Sequence, residues 1–459
     1  MVVRMKVTMM KQLKIKDNSE KSKEEFSAIP KTVSMIADKT LSQLEKDGVF
    51  VFPELVNDTS GLSKEQIVLQ SFNDSFRTGN VMGFLGYGKE RLVIESRFGS
   101  ENNDFFLQYL LEKVLNCPNI FDLESDANTE NQILDLFIFL FPQYLKNAMR
   151  KGLFKSYIRV DYSDCNPKGT INVARHIKEN TPFVGNIAYS QREYSFDNYL
   201  TELIRHTIEF IRRKPYGRYM LSKVKDEVNA VVEATGKYQL FDRQRILSEN
   251  KKHVIRHAFY REYRALQFLC VLILQNQKQG IGSGNNHVYG ILFDGAWLWE
   301  EYVNSLVSEY FYHPMNKARQ GAQRLFSQHI GLIYPDFISR DKDFRIIADA
   351  KYKPISNIGN HDYFQVLAYM MRFDAKKGMY FYPEKSNEND DMYLWLNKGT
   401  TYENNVVKRN DVCLIKHGLI IPQSAENYND FSLKMNLAEN DFKQMICDQV
   451  STIREGGND

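Results

Sequence analysis

Two stretches in the C-terminal half decide the fold: LIYPDFIS at residues 332–339 and RIIADAKYK at residues 345–353. Both are rich in residues that strands favour, and the polar run RDKD between them predicts a hairpin. The arms of a hairpin run antiparallel, so Asp336 on the first arm would lie beside Asp349 on the second. Asp349 and Lys351 are two residues apart and share one face of their strand. Two carboxylates and an ammonium group are therefore expected to converge.

This combination suits phosphodiester hydrolysis. Carboxylate oxygens are ligands that Mg²⁺ prefers, and the bound metal lowers the pKa of its water. We expect Asp336, Asp349 and the main-chain carbonyl of Ala350 to hold Mg²⁺. Lys351 would then orient the attacking water or stabilise the pentacovalent charge.

The letters PD and DAK of the two arms match the PD-(D/E)xK nuclease pattern. A D/E-x-K triplet alone is a weak signal, and the alternative is a surface hairpin with a solvated ion pair. However, the apolar run IIA precedes the triplet, which indicates a buried strand. Charges that emerge from a buried strand need partners, and this favours a functional site.

A helix is predicted in front of the hairpin by FDGAWLWEEYV. Asp294 would cap this helix, and Trp299 and Tyr302 belong to its apolar stripe. At about 100° per residue, Glu300 falls at the edge of that stripe and would point inward, whereas Glu301 falls opposite to it.

A second helix is predicted behind the hairpin by HDYFQVLAYMMRF. Helical spacing predicts a buried face, which consists of Phe364, Leu367, Ala368 and Met371. Asp362, Gln365 and Tyr369 share another face. These three side chains would contact DNA phosphate or brace Lys351.

Shifts in composition divide the chain into three parts. Residues 1–45 mix Lys, Glu and Ser, and we expect a mobile basic tail with one short helix. Residues 46–285 contain β-rich runs such as GVFVFPELV together with segments of helical spacing. The run GIGSGNN at 280–286 is the clearest linker, so the hairpin domain is assigned to residues 286–459. The predicted fold class is α/β, with a mixed N-terminal region followed by a central mixed sheet flanked by helices.

The bulk composition identifies no function. The net charge is +3 over 459 residues, and the five cysteines form no CxxC pair. We expect a soluble cytoplasmic protein, since no apolar run is long enough to span a membrane or to act as a signal peptide.

The run GFLGYGK at 83–89 has the spacing of a phosphate-binding loop, yet Glu90 stands where Ser or Thr is needed and a strand follows. A glycine hairpin is the better interpretation.

With these motifs in place, the chain resembles the McrC family, the nuclease subunits of McrBC-type restriction systems, and looks closest to its LlaJI-like branch. LWEEYV, YPDF, ADAKYK and QVLAY carry the resemblance. It continues upstream through GVFVFPE, RKGLFKSY, KGTINVARHI and REYSFDNYL, and it covers roughly Gly48 to Pro383.

The resemblance implies that Asp336 and Asp349 are metal ligands and that Lys351 is the catalytic lysine. It also implies that Glu300 and Gln365 support the site. The family implies Mg²⁺, cleavage of double-stranded DNA, and a ring-forming AAA+ GTPase partner of the McrB type that the N-terminal region docks. Two alternatives remain open: a non-cleaving activator or adaptor of the ring, and an autonomous repair nuclease.

Overall fold

The computed structural model describes residues 11–47, 49–52, 65–100, 105–115, 129–255, 258–279, 288–314, 322–341, 345–385, 391–399 and 406–455. The chain forms two compact units. The first unit combines residues 1–126 with residues 282–459, and the second consists of residues 127–281. The chain therefore leaves the first unit and later returns to it.

The secondary structure follows this division. The N-terminal segment of the first unit contains β1 (Lys11–Lys16), β2 (Glu20–Ser22), α1 (Pro30–Ile36), α2 (Leu41–Asp47), β3 (Val49–Phe52), β4 (Leu69–Ser71), β5 (Ser75–Thr78), β6 (Val81–Tyr87), β7 (Glu90–Glu95) and α3 (Phe105–Leu115). The second unit contains α4 (Thr129–Met149), β8 (Ser156–Asp164), β9 (Thr170–Ile171), α5 (Val173–Glu179), β10 (Ile187–Ser195), α6 (Tyr199–Arg212), α7 (Gly217–Ser222), α8 (Lys225–Ala234), α9 (Arg243–Lys252) and α10 (Arg261–Gln279). The C-terminal segment of the first unit contains β11 (Val288–Asp294), α11 (Gly295–Val307), β12 (Phe311–Tyr312), β13 (Gln323–Arg324), β14 (Leu332–Ile333), β15 (Phe337–Ser339), β16 (Ile346–Ala350), α12 (Asn360–Phe373), β17 (Lys377–Glu384), β18 (Met392–Lys398), β19 (Val407–Ile420) and α13 (Tyr428–Glu455).

A five-stranded sheet in the order β1-β7-β6-β11-β3 joins both segments of the first unit. β11 pairs antiparallel with β6 and parallel with β3. The strand that follows the expected linker therefore completes a sheet begun by the N-terminal segment. The predicted division into 46–285 and 286–459 is wrong for this reason, because strand pairing and not local composition decides which segments fold together. The run at 280–286 itself lies outside the described residues.

The segment expected to be a mobile tail, residues 1–45, is folded from Lys11 onward. β1 pairs parallel with β7, and Ile15 lies opposite Ile94 in the buried core. α1 and α2 follow, and α2 contributes Leu44 to the same core. In KQLKIK the two apolar residues, Leu13 and Ile15, are two positions apart, as in a strand with one buried face, but the lysines around them made the segment look like a solvated tail. The expectation of a tail was wrong. The residues before Lys11 lie outside the described part of the chain.

The run GFLGYGK forms a glycine hairpin, as predicted. β6 and β7 pair antiparallel, and Gly88 between them has a φ of 61°. Gly83 has a φ of 135°, and a Cβ there would lie 2.1 Å from the carbonyl oxygen of Ile291. Glycine is therefore required at this position by the close approach of β11.

A six-stranded mixed sheet in the order β12-β15-β16-β17-β19-β18 forms the centre of the C-terminal segment. β16, β17 and β19 are parallel neighbours, and β15 and β18 run antiparallel to the strands beside them. β16 and β17 are buried along most of their length, as is typical of parallel strands covered on both faces. β15 and β16 form the predicted hairpin, with Phe337 opposite Ala348. The predicted α/β class is confirmed.

Helices cover both faces of this sheet. On one face, α12 packs Val366 into a core that includes Tyr380 of β17. On the other face, the ring of Phe381 lies 5.3 Å from that of Phe442 on α13, measured between ring centroids. The carbonyl of Phe381 also accepts a 3.0 Å hydrogen bond from the indole of Trp299 on α11. Successive side chains of β17 thus contact opposite helical layers.

The buried face of α12 differs from the prediction. Phe364 is 70% exposed and Met371 is 85% exposed, whereas Val366 and Met370 are buried. The helix carries apolar side chains on several sides, so the spacing of apolar residues alone selected the wrong stripe.

The second unit is built around α6, which packs against α7, α8, α9 and α10. Its three-stranded sheet has the order β8-β10-β9. β8 and β10 pair antiparallel from Ser156 opposite Ser195 to Asp164 opposite Ile187. No residue of β8 or of α5 is buried, so this part of the unit presents its side chains to solvent.

Within the described ranges, no helix is both long and apolar enough to cross a lipid bilayer.

Candidate functional site

The hairpin brings the two predicted acidic residues together at one end of β16. Asp336 directly precedes β15, and Asp349 lies in β16. The main-chain N–H of Ala350 donates a 2.9 Å hydrogen bond to Oδ2 of Asp336. The two carboxylates therefore lie side by side on antiparallel neighbours, as predicted.

Burial and neighbouring acidic groups both act on Asp336. Burial is the largest cause that raises the pKa of Asp336 well above its ordinary value, and the charges of Asp349 and Glu300 raise it further. The Asp349 side chain is also buried. Carboxylates that are crowded in a buried place favour a cation beside them.

Lys351 supplies one such cation. Its Nζ lies 2.5 Å from Oδ2 of Asp349 and donates a 3.1 Å hydrogen bond to Oε1 of Gln365. Burial lowers the pKa of Lys351, but the charges of Asp349, Asp336 and Asp362 and the hydrogen bond to Asp349 together outweigh burial, and the pKa is raised above its ordinary value. The lysine is therefore charged at neutral pH.

α12 supplies the side chains that hold this lysine. Gln365 accepts from Lys351 and donates a 2.8 Å hydrogen bond to the hydroxyl of Tyr369. Burial and the charge of Asp349 raise the pKa of Tyr369 to about 12, so its hydroxyl stays neutral. Asp362 lies 3.5 Å from Nζ of Lys351. Of the predicted shared face, Gln365 and Asp362 contact Lys351 directly, and Tyr369 is linked to it through Gln365.

Asp362 also binds Lys353, a residue that the sequence did not single out. Nζ of Lys353 lies 2.9 Å and 2.7 Å from the two carboxylate oxygens, and the N–H of Gly359 donates to Oδ2 at 3.0 Å. Burial raises the pKa of Asp362, but Lys353, the Gly359 N–H and Lys351 together lower it below its ordinary value. Asp362 is thus an anion between two lysines.

α11 brings Glu300 to the same cluster. Asp294 caps the helix by accepting a 2.9 Å hydrogen bond from the N–H of Ala296, and Trp299 and Tyr302 are buried, as predicted. The Glu300 side chain is 12% exposed and the Glu301 side chain 25%. Glu300 is the more enclosed of the two, and its charge acts on Asp336.

His313 is a member of the site that the sequence did not reveal. Its Nδ1 lies 2.8 Å from the carbonyl oxygen of Asp336, and its Nε2 faces Glu300 and Glu301. Burial lowers the pKa of His313, but Glu301, the Asp336 carbonyl and the charge of Glu300 raise it above its ordinary value. No spacing links this histidine to the hairpin motif.

A further contact joins the five-stranded sheet to the strand end that carries Lys351. The hydroxyls of Tyr352 and Ser96 lie 2.7 Å apart, and Arg97 donates a 3.3 Å hydrogen bond to the carbonyl of Tyr352. Arg97 in turn lies 3.1 Å from a carboxylate oxygen of Asp17. The N-terminal segment therefore supports the residue next to the lysine.

The two carboxylates bring oxygen atoms, the kind of ligand that magnesium takes, to one place. In the described part of the chain, no group of three or more His, Cys, Asp or Glu side chains could hold a metal ion. Magnesium is usually bound through one or two carboxylates, with waters and substrate phosphate completing its octahedron. Asp336, Asp349 and the carbonyl of Ala350 offer oxygen ligands of this kind. Their roles as ligands stay predictions.

A family match agrees with the resemblance. Residues 76–383 match the model of the family described as McrBC 5-methylcytosine restriction system component. One similar solved structure is a refined half-complex from the tetradecameric assembly of Thermococcus gammatolerans McrB AAA+ hexamers with bound McrC. The sequence identity is 15%, the alignment covers 93% of this chain and 99% of that chain, and the TM-score is 0.45. Another is the cryo-EM structure of the Thermococcus gammatolerans McrBC complex; identity is 16%, coverage is 65% of this chain and 87% of that chain, and the TM-score is 0.29. No curated protein matches the chain.

Both TM-scores are low, so the assignment rests on the family match. That match spans more than half of the 459 residues, and its range includes Glu300, the hairpin and α12. The family predicted from the sequence is confirmed, and the chain belongs to the McrBC 5-methylcytosine restriction system components.

Proposed function

We propose that this chain is the DNA-cleaving subunit of a McrBC-type restriction system, a Mg²⁺-dependent endonuclease that acts on foreign double-stranded DNA in the cytoplasm. One observation carries the proposal: Asp336, Asp349 and Lys351 converge at the end of a buried strand in a chain of this family. Buried ionisable groups with perturbed pKa values cluster at functional sites, where the rest of the fold offsets the cost of burying them.

The metal ligands in this proposal are Asp336, Asp349 and the main-chain carbonyl of Ala350. When bound there, Mg²⁺ would polarise the phosphate and lower the pKa of its water. The raised pKa of Asp336 supports a cation at this place, because a divalent charge would relieve the repulsion from Asp349 and Glu300.

The chain itself supplies Lys351 as the group that meets the reacting phosphate. An ammonium has three hydrogens, and the close contacts of Lys351 are with Asp349 and Gln365. The contact with Asp362, at 3.5 Å, is longer than a good hydrogen bond. One N–H therefore remains for a phosphate oxygen, where it would stabilise the charge that develops during hydrolysis.

The proposed partner is an AAA+ GTPase of the McrB type, and the second unit is its proposed docking region. Apolar side chains cluster in sequence around α5 and are strongly exposed: Val173 is 63% exposed, Ile177 61%, Phe183 64% and Val184 75%. Exposed apolar side chains grouped in the sequence in this way are a candidate protein-interaction surface. The family match supports a partner of this class, and the similar Thermococcus gammatolerans structure is described as McrB AAA+ hexamers with bound McrC.

The proposal is tested by plasmid cleavage with the purified chain and Mg²⁺, alone and together with its AAA+ partner and GTP. Wild type is compared with Asp349→Asn and with Asp374→Asn, a matched control at the exposed end of α12. Cleavage that needs the partner, GTP and Asp349 but not Asp374 supports the proposal. Cleavage by the chain alone would instead favour an autonomous nuclease, and no cleavage in any condition would favour the adaptor.

A further inference from the structure

His313 follows β12 and lies outside every motif of the sequence, yet its ring lies between the main chain of Asp336 and helix α11. Its side chain is 4% exposed. Nδ1 lies 2.8 Å from the main-chain carbonyl oxygen of Asp336. A carbonyl oxygen can only accept, so Nδ1 carries the hydrogen and donates it.

The opposite edge of the same ring faces α11. Nε2 lies 3.7 Å from Oε1 of Glu300 and 3.9 Å from Oε1 of Glu301. These distances are too long for hydrogen bonds and are those of electrostatic contacts. The ring also lies against Phe337, with centroids 5.1 Å apart and an interplanar angle of 31°. Packing therefore fixes the plane of the imidazole.

Asp336 is consequently held at two points. Its carboxylate accepts from the N–H of Ala350, and its main-chain carbonyl accepts from His313. The repulsion from Asp349 and Glu300 would move a loosely held carboxylate away from the cluster. A fixed backbone opposes that movement.

We propose that His313 is a positioning residue of the candidate nuclease site. Its Nδ1–H holds the main chain of Asp336 so that the carboxylate stays beside Asp349. This inference rests on the proposed function, and His313 acts through Asp336 without touching the substrate. Groups that orient metal ligands in this way typically contribute 10–100-fold to metal affinity or activity, roughly.

Two substitutions separate positioning from simple packing. His313→Asn places an amide nitrogen near the position of Nδ1 and retains donation to Asp336. His313→Phe retains a ring against Phe337 but has no donor. The full chain is titrated with Mg²⁺ by calorimetry, its unfolding midpoint is measured, and plasmid cleavage is followed with the AAA+ partner and GTP.

We expect His313→Phe to weaken Mg²⁺ binding and cleavage roughly 10–100-fold, and His313→Asn to stay within a few-fold of wild type. Equal Mg²⁺ affinity in the Phe and wild-type chains would overturn the proposal, and so would equal losses in Phe and Asn. If His313→Phe unfolds at a markedly lower temperature than wild type, His313→Gln replaces it in the test. The Gln amide lies near the position of Nε2 and cannot donate to Asp336, so the proposal requires His313→Gln to lose Mg²⁺ binding as well. A wild-type chain that binds no Mg²⁺ would refute the proposed function, and this inference with it.

Discussion

Oδ2 of Asp336 accepts a 2.9 Å hydrogen bond from the main-chain N–H of Ala350. An acidic side chain at the start of one strand is thereby tied to the backbone of the strand that carries Asp349. The bond needs an acceptor and not a charge, whereas the proposed binding of Mg²⁺ needs the charge. The two requirements can be separated by substitution.

Asp336→Asn is expected to abolish cleavage without lowering stability. The amide oxygen can still accept from Ala350, while the repulsion between Asp336 and its acidic neighbours disappears. We expect cleavage to fall by roughly 100-fold or more and the unfolding midpoint to stay equal or rise. Calorimetric melting and plasmid cleavage are measured on the same preparation. Substantial destabilisation, or cleavage near the wild-type rate, would contradict the proposed ligand role.

Lys351→Ala is expected to separate cleavage from action on the partner. The ammonium contacts Asp349 and Gln365 in the site, and the proposed docking surface lies in the second unit. We expect cleavage to fall by roughly 100-fold or more while stimulation of GTP hydrolysis by the AAA+ partner is unchanged. Lys376→Ala, at an exposed lysine, is the control and should retain both activities. Loss of GTPase stimulation with Lys351→Ala alone would indicate that the site serves the partner.

Phe183→Asp is expected to weaken binding of the AAA+ partner. Phe183 is 64% exposed, so a carboxylate there costs the free chain little but would be buried in an apolar interface. We expect the dissociation constant for the partner to rise by roughly 10-fold or more, at an unchanged unfolding midpoint. Leu433→Asp, at an equally exposed leucine of α13, is the matched control and should bind normally. Identical behaviour of both variants would place the docking surface elsewhere.

The sequence predicted the parts of the site in which local pattern and chemistry coincide. The hairpin arms carry both a strand pattern and the acidic residues, and Asp294 is a typical helix cap. His313 was missed, because its contact with Asp336 exists only through the pairing of β12 with β15. The exposure of Phe364 on α12 and the pairing of β1 with β7 were missed for the same reason: each is decided by distant partners and not by neighbours in the chain.

A last prediction concerns the acid stability of the second unit. His206 on α6 is 3% exposed and lies against Tyr238, with ring centroids 4.7 Å apart. Burial, followed by the charge of Arg243, lowers its pKa from 6.5 to about 4. Since the unfolded chain takes up a proton near pH 6.5 and the folded chain does so only near pH 4, stability is present above pH 6.5 and is lost as the pH falls toward 4.

His206→Phe removes this titration and retains an aromatic ring beside Tyr238. We expect wild type to lose on the order of 3 kcal/mol more than the variant between pH 7 and pH 4. Urea unfolding at several pH values in this range measures the difference in the free energy of unfolding. Every other group that titrates in this range is present in both chains, so the variant serves as the reference for their contribution. Parallel profiles for the two chains would mean that His206 takes up its proton in the folded state near its ordinary pKa, and that its burial is relieved by local opening of α6.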